Sequence, residues 1–525
     1  MVKRGNKVAL IILDGVGITA TQKGNAFTMA KKPYIDQLID ASPKALLKAS
    51  AREVGLPWGE VGNSEVGHTN IGLGRVVLQD LPQIDRAIQN NTIAGKKTVK
   101  KIFETLATKG GNLHLIGVIS NGAVHGHIRH LIAMITLFQH AQGLKKIYLH
   151  LISDGRDVPE RSLQRFIPQV TNVLSDRVVV ASLLGRYFAM DRDKNWDRIS
   201  IAYQAILGNG KKARSVEDAI STAYAANETD EFITPATIGG FKDVDLENDA
   251  FLFTNYRSDR AIQLTRMFVD PHLTGVKRAA LAKHFFTMTT YEDNLPAEVL
   301  FSNLDLNDER INPLINPLSK IVADAGLKQF YVAETEKYAH VTYFFSGGLK
   351  NENVGQICKL IPSKKVKTYA EHPQMCASEI ADALVEASGG NYSLIVANFA
   401  NGDMVGHSGE LDPTIKAVEV LDQQLKKAVP QLLKKGYVVM LTADHGNCEE
   451  MIDLTSGKIN KEHTMNPVFF LYITTDSEKK YLNAESFFDA QPIGILADIA
   501  PTILDELSLR HAREITGINL KKSLI

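Results

Sequence analysis

Short apolar runs rich in β-branched residues recur along the chain, at 8–13, 115–119, 147–152, 178–184, 250–253, 394–397, 438–441 and 468–473. Each has the length of a strand, and continuous apolar runs of this kind suit strands buried on both faces. Longer stretches with apolar positions every three to four residues lie between many of them. The clearest, 415–433, predicts an amphipathic helix. Strand and helix in alternation predict an α/β fold with largely buried sheets.

Many of these runs stop at charged or polar residues. Asp14 follows 8–13, and Ser153-Asp154-Gly155-Arg156-Asp157 follows 147–152. Asn398 follows 394–397, with Asp403 and His407 beyond it, and Thr442-Ala443-Asp444-His445 follows 438–441. Open α/β sheets bind ligands outside the carboxyl ends of their strands, so the chain carries its chemistry where such a fold exposes it.

The segment Gly62-Asn63-Ser64-Glu65-Val66-Gly67-His68 places a serine in a glycine-flanked turn at the expected start of a helix. Free backbone N–H groups there favour an incoming phosphate. A neutral serine needs a base or a metal to act as a nucleophile. Asp14, Asp403, His407, Asp444, His445 and His463 lie in short turns beside strands and offer carboxylate and imidazole donors without thiolates. That set suits Mn²⁺, Zn²⁺ or Mg²⁺, and an ion pair would both acidify Ser64 and neutralise phosphate oxygens. Gly402, Gly406 and Gly409 argue for a loop around Asp403 and His407 rather than a helix. Singly, each aspartate also reads as a helix cap or turn former. The shared residue types and strand-end positions join them into one site.

Bulk properties narrow the classes. A chain of 525 residues exceeds one ordinary core and implies two or three domains. Net charge of +0 gives no reason to expect a nucleic-acid or membrane-surface partner. Cys358, Cys376 and Cys448 form no C-x-x-C pair and fit a reducing compartment, and Cys448 reads as a small packed side chain. The basic start of the chain runs into 8–13, which ends at Asp14, so it reads as a first strand rather than a signal peptide. No segment has the length of a membrane span, and the cytoplasm is the expected location.

The acidic and imidazole residues fall near the two ends, and arginine-rich motifs fall between them. One domain interrupted by another is the simplest topology, with crossings near 74–78 and 307–317, the latter carrying two Asn-Pro pairs. The expected division is a discontinuous metal-binding domain, 1–77 with 313–525, and an inserted α/β domain, 78–312. Arg156, Arg186, Arg192, Arg257 and Arg260 suit bidentate binding of phosphate and carboxylate. They equally suit surface pairing with Asp157, Asp191, Asp193, Asp197 and Asp259.

Leu13-Asp14-Gly15, the Gly62–His68 segment, Asn401-Gly402-Asp403-Met404-Val405-Gly406-His407, Thr442-Ala443-Asp444-His445-Gly446-Asn447 and His463-Thr464 closely resemble the cofactor-independent phosphoglycerate mutases of the alkaline-phosphatase-like superfamily. The motifs are in family order and span nearly the whole chain. The resemblance implies interconversion of 3-phosphoglycerate and 2-phosphoglycerate, in glycolysis and gluconeogenesis, through phosphorylated Ser64. It implies one ion held by Asp14, Ser64, Asp444 and His445 and a second by Asp403, His407 and His463. Manganese is the commonest family metal, with zinc, cobalt or magnesium as substitutes, and no 2,3-bisphosphoglycerate is needed. The inserted domain resembles the family's phosphotransferase part, which clamps substrate through His125, Arg156, Asp157, Arg186, Arg192, Arg257 and Arg260. Lys337 is the substrate-binding lysine, and Asp157 the acid and base for the glycerate hydroxyls. Gly126, Tyr256 and Ser258 depart from the family pattern. A monomer is implied. The alternative is a metal-dependent phosphatase, or another phosphomutase, on the same superfamily core.

Overall fold

The computed structural model describes residues 6–242, 244–301, 316–349, 353–475 and 484–524. It divides into two compact units, 1–79 with 309–525, and 80–308. The first junction falls at 79/80, where the sequence expected 77/78. Residues 307–315 of the second expected crossing lie outside the described residues. Both units are α/β, each built on one eight-stranded sheet among the described residues.

In the discontinuous unit the strand order is Gln356–Ile361, Gln329–Glu334, Leu394–Phe399, Lys7–Leu13, Tyr437–Thr442, Val468–Ile473, Lys44–Lys48 and Gly494–Ile495. The first five are parallel to one another, and Val468–Ile473 is antiparallel on both sides. Val8 to Leu13 are fully buried because helices cover both faces of a parallel sheet. The long helix Leu411–Lys434 buries Val418, Leu421, Leu425, Val429 and Leu432, an apolar stripe at helical spacing, in the same core. Register decides what happens at the strand ends. Ile12 pairs with both Asn398 and Thr442, so Asp14, Ala400 and Asp444 leave the sheet at one level.

In the inserted unit the order is Glu298–Phe301, His284–Thr289, Ala250–Phe253, Leu113–Val118, Ile147–Ser153, Val178–Gly185, Ala236–Ile238 and Lys211–Ala213. Successive strands step one way from Leu113–Val118 and the other way from Ala250–Phe253. The crevice between those two neighbours is the point where such sheets accept ligands.

A buried polar ladder crosses this sheet. Asp249 Oδ2 lies 3.1 Å from His114 Nε2, His114 Nδ1 lies 2.9 Å from His150 Nε2, and His150 Nδ1 lies 2.8 Å from Ser182 Oγ. Phe251 stacks on His114 with ring centroids 4.4 Å apart. Burial, and then the neighbouring His114, hold the His150 imidazole well below its ordinary range. Burial pushes Asp249 up, but His114 and the backbone N–H groups of Asn112 and Asp245 bring its carboxyl below the usual value. Both groups resist protonation more in the folded state than in the unfolded chain. The His150 effect therefore begins as pH falls below about 6.5, where unfolded histidine takes up a proton, at up to about 1.4 kcal/mol per pH unit. The Asp249 contribution is present above the unfolded carboxylate value and is lost only in stronger acid. Thermal unfolding followed between pH 7 and 5 should show a falling midpoint, and His150→Gln should fall less steeply. Parallel slopes for the two proteins would contradict the assignment.

Candidate active site

The acidic residues of the discontinuous unit meet because each follows a strand end at the same edge of the sheet. Asp14 follows Lys7–Leu13 directly, and Asp444 and His445 follow Tyr437–Thr442. Lys337 lies in the short helix Thr335–Ala339, which continues from Gln329–Glu334. Ser64 opens the helix Ser64–Leu73, capped by Asn63, whose Oδ1 accepts the Val66 N–H at 2.9 Å. Gly15 has φ +71°, and a Cβ there would lie 2.6 Å from Asp403 Cα. Glycine is what lets the Asp14 and Asp403 segments touch.

One expectation is corrected. Asp403 lies not on a loop but in a helix, Asn401–Gly406, with His407 as its C-cap. The glycines are there for contact rather than for breaking the helix. A Cβ on Gly402 would meet the Asp14 carbonyl oxygen at 2.6 Å, and one on Gly406 would meet Asn447 Oδ1 at 2.2 Å. The i,i+4 spacing then puts Asp403 and His407 on one face.

Ser64 Oγ donates to Asp14 Oδ1 at 3.2 Å, lies 2.9 Å from His445 Nε2, and receives a hydrogen bond from Lys337 Nζ at 2.6 Å. Lys337 Nζ also donates to Asp14 Oδ1 (2.6 Å) and Asp403 Oδ2 (2.7 Å). Asp403 Oδ1 is approached by His407 Nε2 at 3.2 Å and His463 Nε2 at 3.1 Å, with those two nitrogens 3.0 Å apart. His445 Nε2 is 3.5 Å from Asp14 Oδ1, 3.6 Å from Asp444 Oδ2 and 4.0 Å from Asp403 Oδ1. Its ring stacks on His463 with centroids 3.9 Å apart. All seven residues expected at the metal centre therefore meet in one place, together with Lys337.

The charge balance favours cations. Asp14, Asp403 and Asp444 are buried, and the one lysine among them offsets a single negative charge. Burial, then Asp444, pushes the Asp14 carboxyl up despite Lys337. Burial opposes ionisation of Asp403, yet Lys337 and the hydrogen bonds from His407 and His463 hold it well below the carboxylate range. Burial also opposes Asp444, but His445 and His68 hold it low. Lys337 is kept charged, because Asp14, Asp403 and Asp444 outweigh its burial. Asp444 Oδ2 is buried and accepts no hydrogen bond. Among the described residues, Asp403, His445 and His463 offer donor atoms within 4.8 Å of one another, as do Asp14, His68 and Asp444. An unsatisfied carboxylate oxygen, excess buried negative charge and an all-oxygen and imidazole donor set fit divalent ions of the manganese, zinc or magnesium kind. Cys448 is fully buried beside this set, and burial pushes its thiol up, as expected of a packed side chain rather than a ligand.

The inserted unit gathers the arginines at the same kind of edge. Arg186, itself buried, donates to Asp154 Oδ1 (2.5 Å) and Asp157 Oδ2 (2.6 Å). Arg156 pairs with Glu231 at 3.3 Å, and Arg192 and Arg257 share Asp259 at 3.0 and 3.2 Å. His125 Nδ1 stands 3.5 Å from the same Asp259, and burial, then Arg186, pushes its imidazole down to about 4. Arg260 donates to the Met190 carbonyl at 3.1 Å, and its guanidinium is lowered by burial, then by Arg192, Arg186 and Arg156. The pairing reading thus holds for several of these arginines, yet positive charge remains in excess around Arg260. That excess suits a small dianion. Two departures from the family pattern, Gly126 and Tyr256, fall in the packing around His125. A Cβ on Gly126 would meet Val118 Cγ1 at 2.6 Å, and the Tyr256 hydroxyl donates to the Ala123 carbonyl at 2.5 Å.

Sequence reasoning gave no role to three buried residues, His68, Asn447 and Glu449, and placed Asn398 only at a strand end. His68 and Asn398 lie between Asp14 and Asp444. Asn447 donates to Asp403 Oδ1 at 3.2 Å. Glu449 accepts the N–H groups of Gly17 (2.9 Å) and Asn447 (2.8 Å) and side-chain bonds from Thr464 and Asn466, which ties the Asp444 loop to the His463 loop. His68 and Asn447 stood inside the quoted motifs, and only their contacts give them a role.

Comparison with known proteins agrees with this geometry. Residues 84–293 match the family model for the BPG-independent PGAM N-terminus. A 2,3-bisphosphoglycerate-independent phosphoglycerate mutase of Clostridium beijerinckii is 41% identical over 98% of each chain. Its counterpart from Clostridium novyi is 42% identical over 98% of this chain and 99% of its own. The crystal structure of Leishmania mexicana phosphoglycerate mutase at low cobalt concentration superimposes with a TM-score of 0.57 at 29% identity, over 98% of this chain and 97% of that one. Identity at this level over essentially the whole length means that the chain belongs to the 2,3-bisphosphoglycerate-independent phosphoglycerate mutases, a family of isomerases.

Proposed function

We propose that the chain interconverts 3-phosphoglycerate and 2-phosphoglycerate through a phosphoserine at Ser64. In this reading 1–77 with 313–525 is the metal-binding part, and 78–312 clamps the substrate. One observation carries it: the buried Ser64 Oγ opens a helix within 3.2 Å of an ammonium, an imidazole and a carboxylate. Asp14, Ser64, Asp444 and His445 would hold one divalent ion, and Asp403, His407 and His463 the other, with manganese the natural choice and zinc, cobalt or magnesium as substitutes. Bound there, the ions neutralise phosphate charge and lower the pKa of the serine hydroxyl.

Ser64 Oγ attacks the phosphorus of 3-phosphoglycerate, and the bond from phosphorus to the C3 oxygen breaks as the bond to Oγ forms. Asp14 Oδ1 and His445 Nε2 are the acceptors in reach of the Oγ proton. Lys337, held cationic, donates to Oγ and offsets developing negative charge. The positive end of the helix Ser64–Leu73 favours the phosphoserine dianion. Asp157 takes the proton of the C2 hydroxyl and passes it to the C3 oxygen, and the C2 oxygen attacks phosphorus. The bond to Oγ breaks and Ser64 is restored. His125, Arg156, Arg186, Arg192, Arg257 and Arg260 retain the glycerate between the two transfers, so that glycerate rather than water receives the phosphoryl group.

The reading extends to a monomer working in cytoplasmic glycolysis and gluconeogenesis. Among the described residues no helix is long and apolar enough to cross a membrane.

Two measurements test it. Wild-type protein given 3-phosphoglycerate should yield 2-phosphoglycerate with little free phosphate, and Ser64→Ala should still bind Mn²⁺ while losing roughly a thousandfold or more in turnover. Free phosphate as the main product, or undiminished mutase activity in Ser64→Ala, would refute the mechanism. In the metal-free protein, Lys337→Met removes the ammonium between Asp14 and Asp403, and urea unfolding should show a loss of about 3–5 kcal/mol. Saturating Mn²⁺ should recover part of that loss, and an equally stable metal-free variant would contradict the charge argument.

A further inference from the structure

His68 and Asn398 form a continuous hydrogen-bonded bridge behind the nucleophile. Both are fully buried. His68 lies four residues after Ser64 in the same helix, and its Nδ1 is 2.9 Å from the Ser64 carbonyl oxygen and 3.2 Å from Asp444 Oδ2. Its Nε2 is 3.0 Å from Asn398 Nδ2, which also donates to Asp14 Oδ2 at 2.8 Å. With Asp14 ionised, the valences allow one arrangement. Two oxygens face Nδ1, so the ring hydrogen is on Nδ1. Nε2 then accepts one amide hydrogen of Asn398, and the other goes to Asp14. The shorter Nδ1 contact is to the Ser64 carbonyl, which leaves Asp444 Oδ2 without a hydrogen bond.

The bridge determines which carboxylate oxygens point where. With Asp14 Oδ2 held by Asn398, Oδ1 is the oxygen presented to Ser64 Oγ and Lys337 Nζ. With Nδ1 bonded to the Ser64 carbonyl and 3.2 Å from Asp444 Oδ2, the His68 ring braces the first turn of the nucleophile's helix. The His340 ring backs it at 5.6 Å. Carboxylates and imidazoles that bind metals depend on such outer partners for their orientation.

We propose that His68 and Asn398 are positioning residues of the transfer site, acting as one unit that orients Asp14 and the first turn of the Ser64 helix. The proposal rests on the reading of Ser64 as nucleophile beside divalent ions. It predicts that His68→Asn, which keeps a donor near Nδ1 but loses the Nε2 acceptor, weakens Mn²⁺ binding to the metal-free protein by 10- to 100-fold in titration calorimetry. Asn398→Ala should do the same, and kcat should drop by a similar factor with KM for 3-phosphoglycerate unchanged. The double variant should be no worse than either single one, because both cut the same bridge. His68→Gln, which restores an acceptor near Nε2, should recover most of the Mn²⁺ affinity. Circular dichroism of each metal-free variant separates folding loss from weakened binding, and if His68→Asn fails to fold, the Asn398→Ala and His68→Gln pair decides. Unchanged Mn²⁺ affinity, additive losses in the double variant, or a change confined to KM would overturn the proposal. Wild-type protein that binds no divalent ion and forms no 2-phosphoglycerate would instead remove the reading beneath it.

Discussion

The parallel register of three strands is the constraint on which the site depends. Lys7–Leu13 lies between Leu394–Phe399 and Tyr437–Thr442, and the pairing of Ile12 with both Asn398 and Thr442 makes their ends flush. Asp14 is hundreds of residues from the Asp403 helix and Asp444 in sequence, yet all three leave the sheet at one edge. A one-residue slip in either pairing would repack both covered faces and carry Asp14 out of level with its neighbours, so core packing and site assembly favour the same register.

Bringing three carboxylates into a dry interior is costly, and the structure offsets the cost only in part. Lys337 bonds two of them and Ser64 at once, while Asp444 keeps an oxygen without a hydrogen bond. Partial compensation is what a cation site requires: a fully satisfied cluster would have nothing to gain from an ion, and an uncompensated one would destabilise the metal-free fold. The same lysine serves both needs, since its charge steadies the carboxylates and its proton points at the nucleophile. In the inserted unit the sign is reversed. Arginines are partly paired with Asp157, Asp259 and Glu231, and the excess charge centres on Arg260.

Much of this was legible along the chain because apolar runs and strand-end polar residues are local signals. The eight expected runs all fall on strands, and the helix foreseen at 415–433 lies within Leu411–Lys434. The misreading at Asp403 has a physical cause. Gly402 and Gly406 weigh against a helix when only propensity is counted, but here they give way to Asp14 and Asn447 on neighbouring segments. Propensity describes an isolated segment, and these glycines answer to contacts that an isolated segment does not have.

By itself, then, the sequence determined the α/β class, the strand ends that carry chemistry and the family resemblance of the motifs, because each of these is written in the order and spacing of nearby residues. Only the tertiary structure decided that His68, Asn398, Asn447 and Glu449 brace the site, and which oxygen of Asp14 faces Ser64. It also decided that Lys337 joins Asp14 to Asp403. These are relations between buried groups on separate strands and helices. A polar side chain's role there is set by the donors and acceptors packed around it, and packing brings those together without leaving a local pattern in the chain.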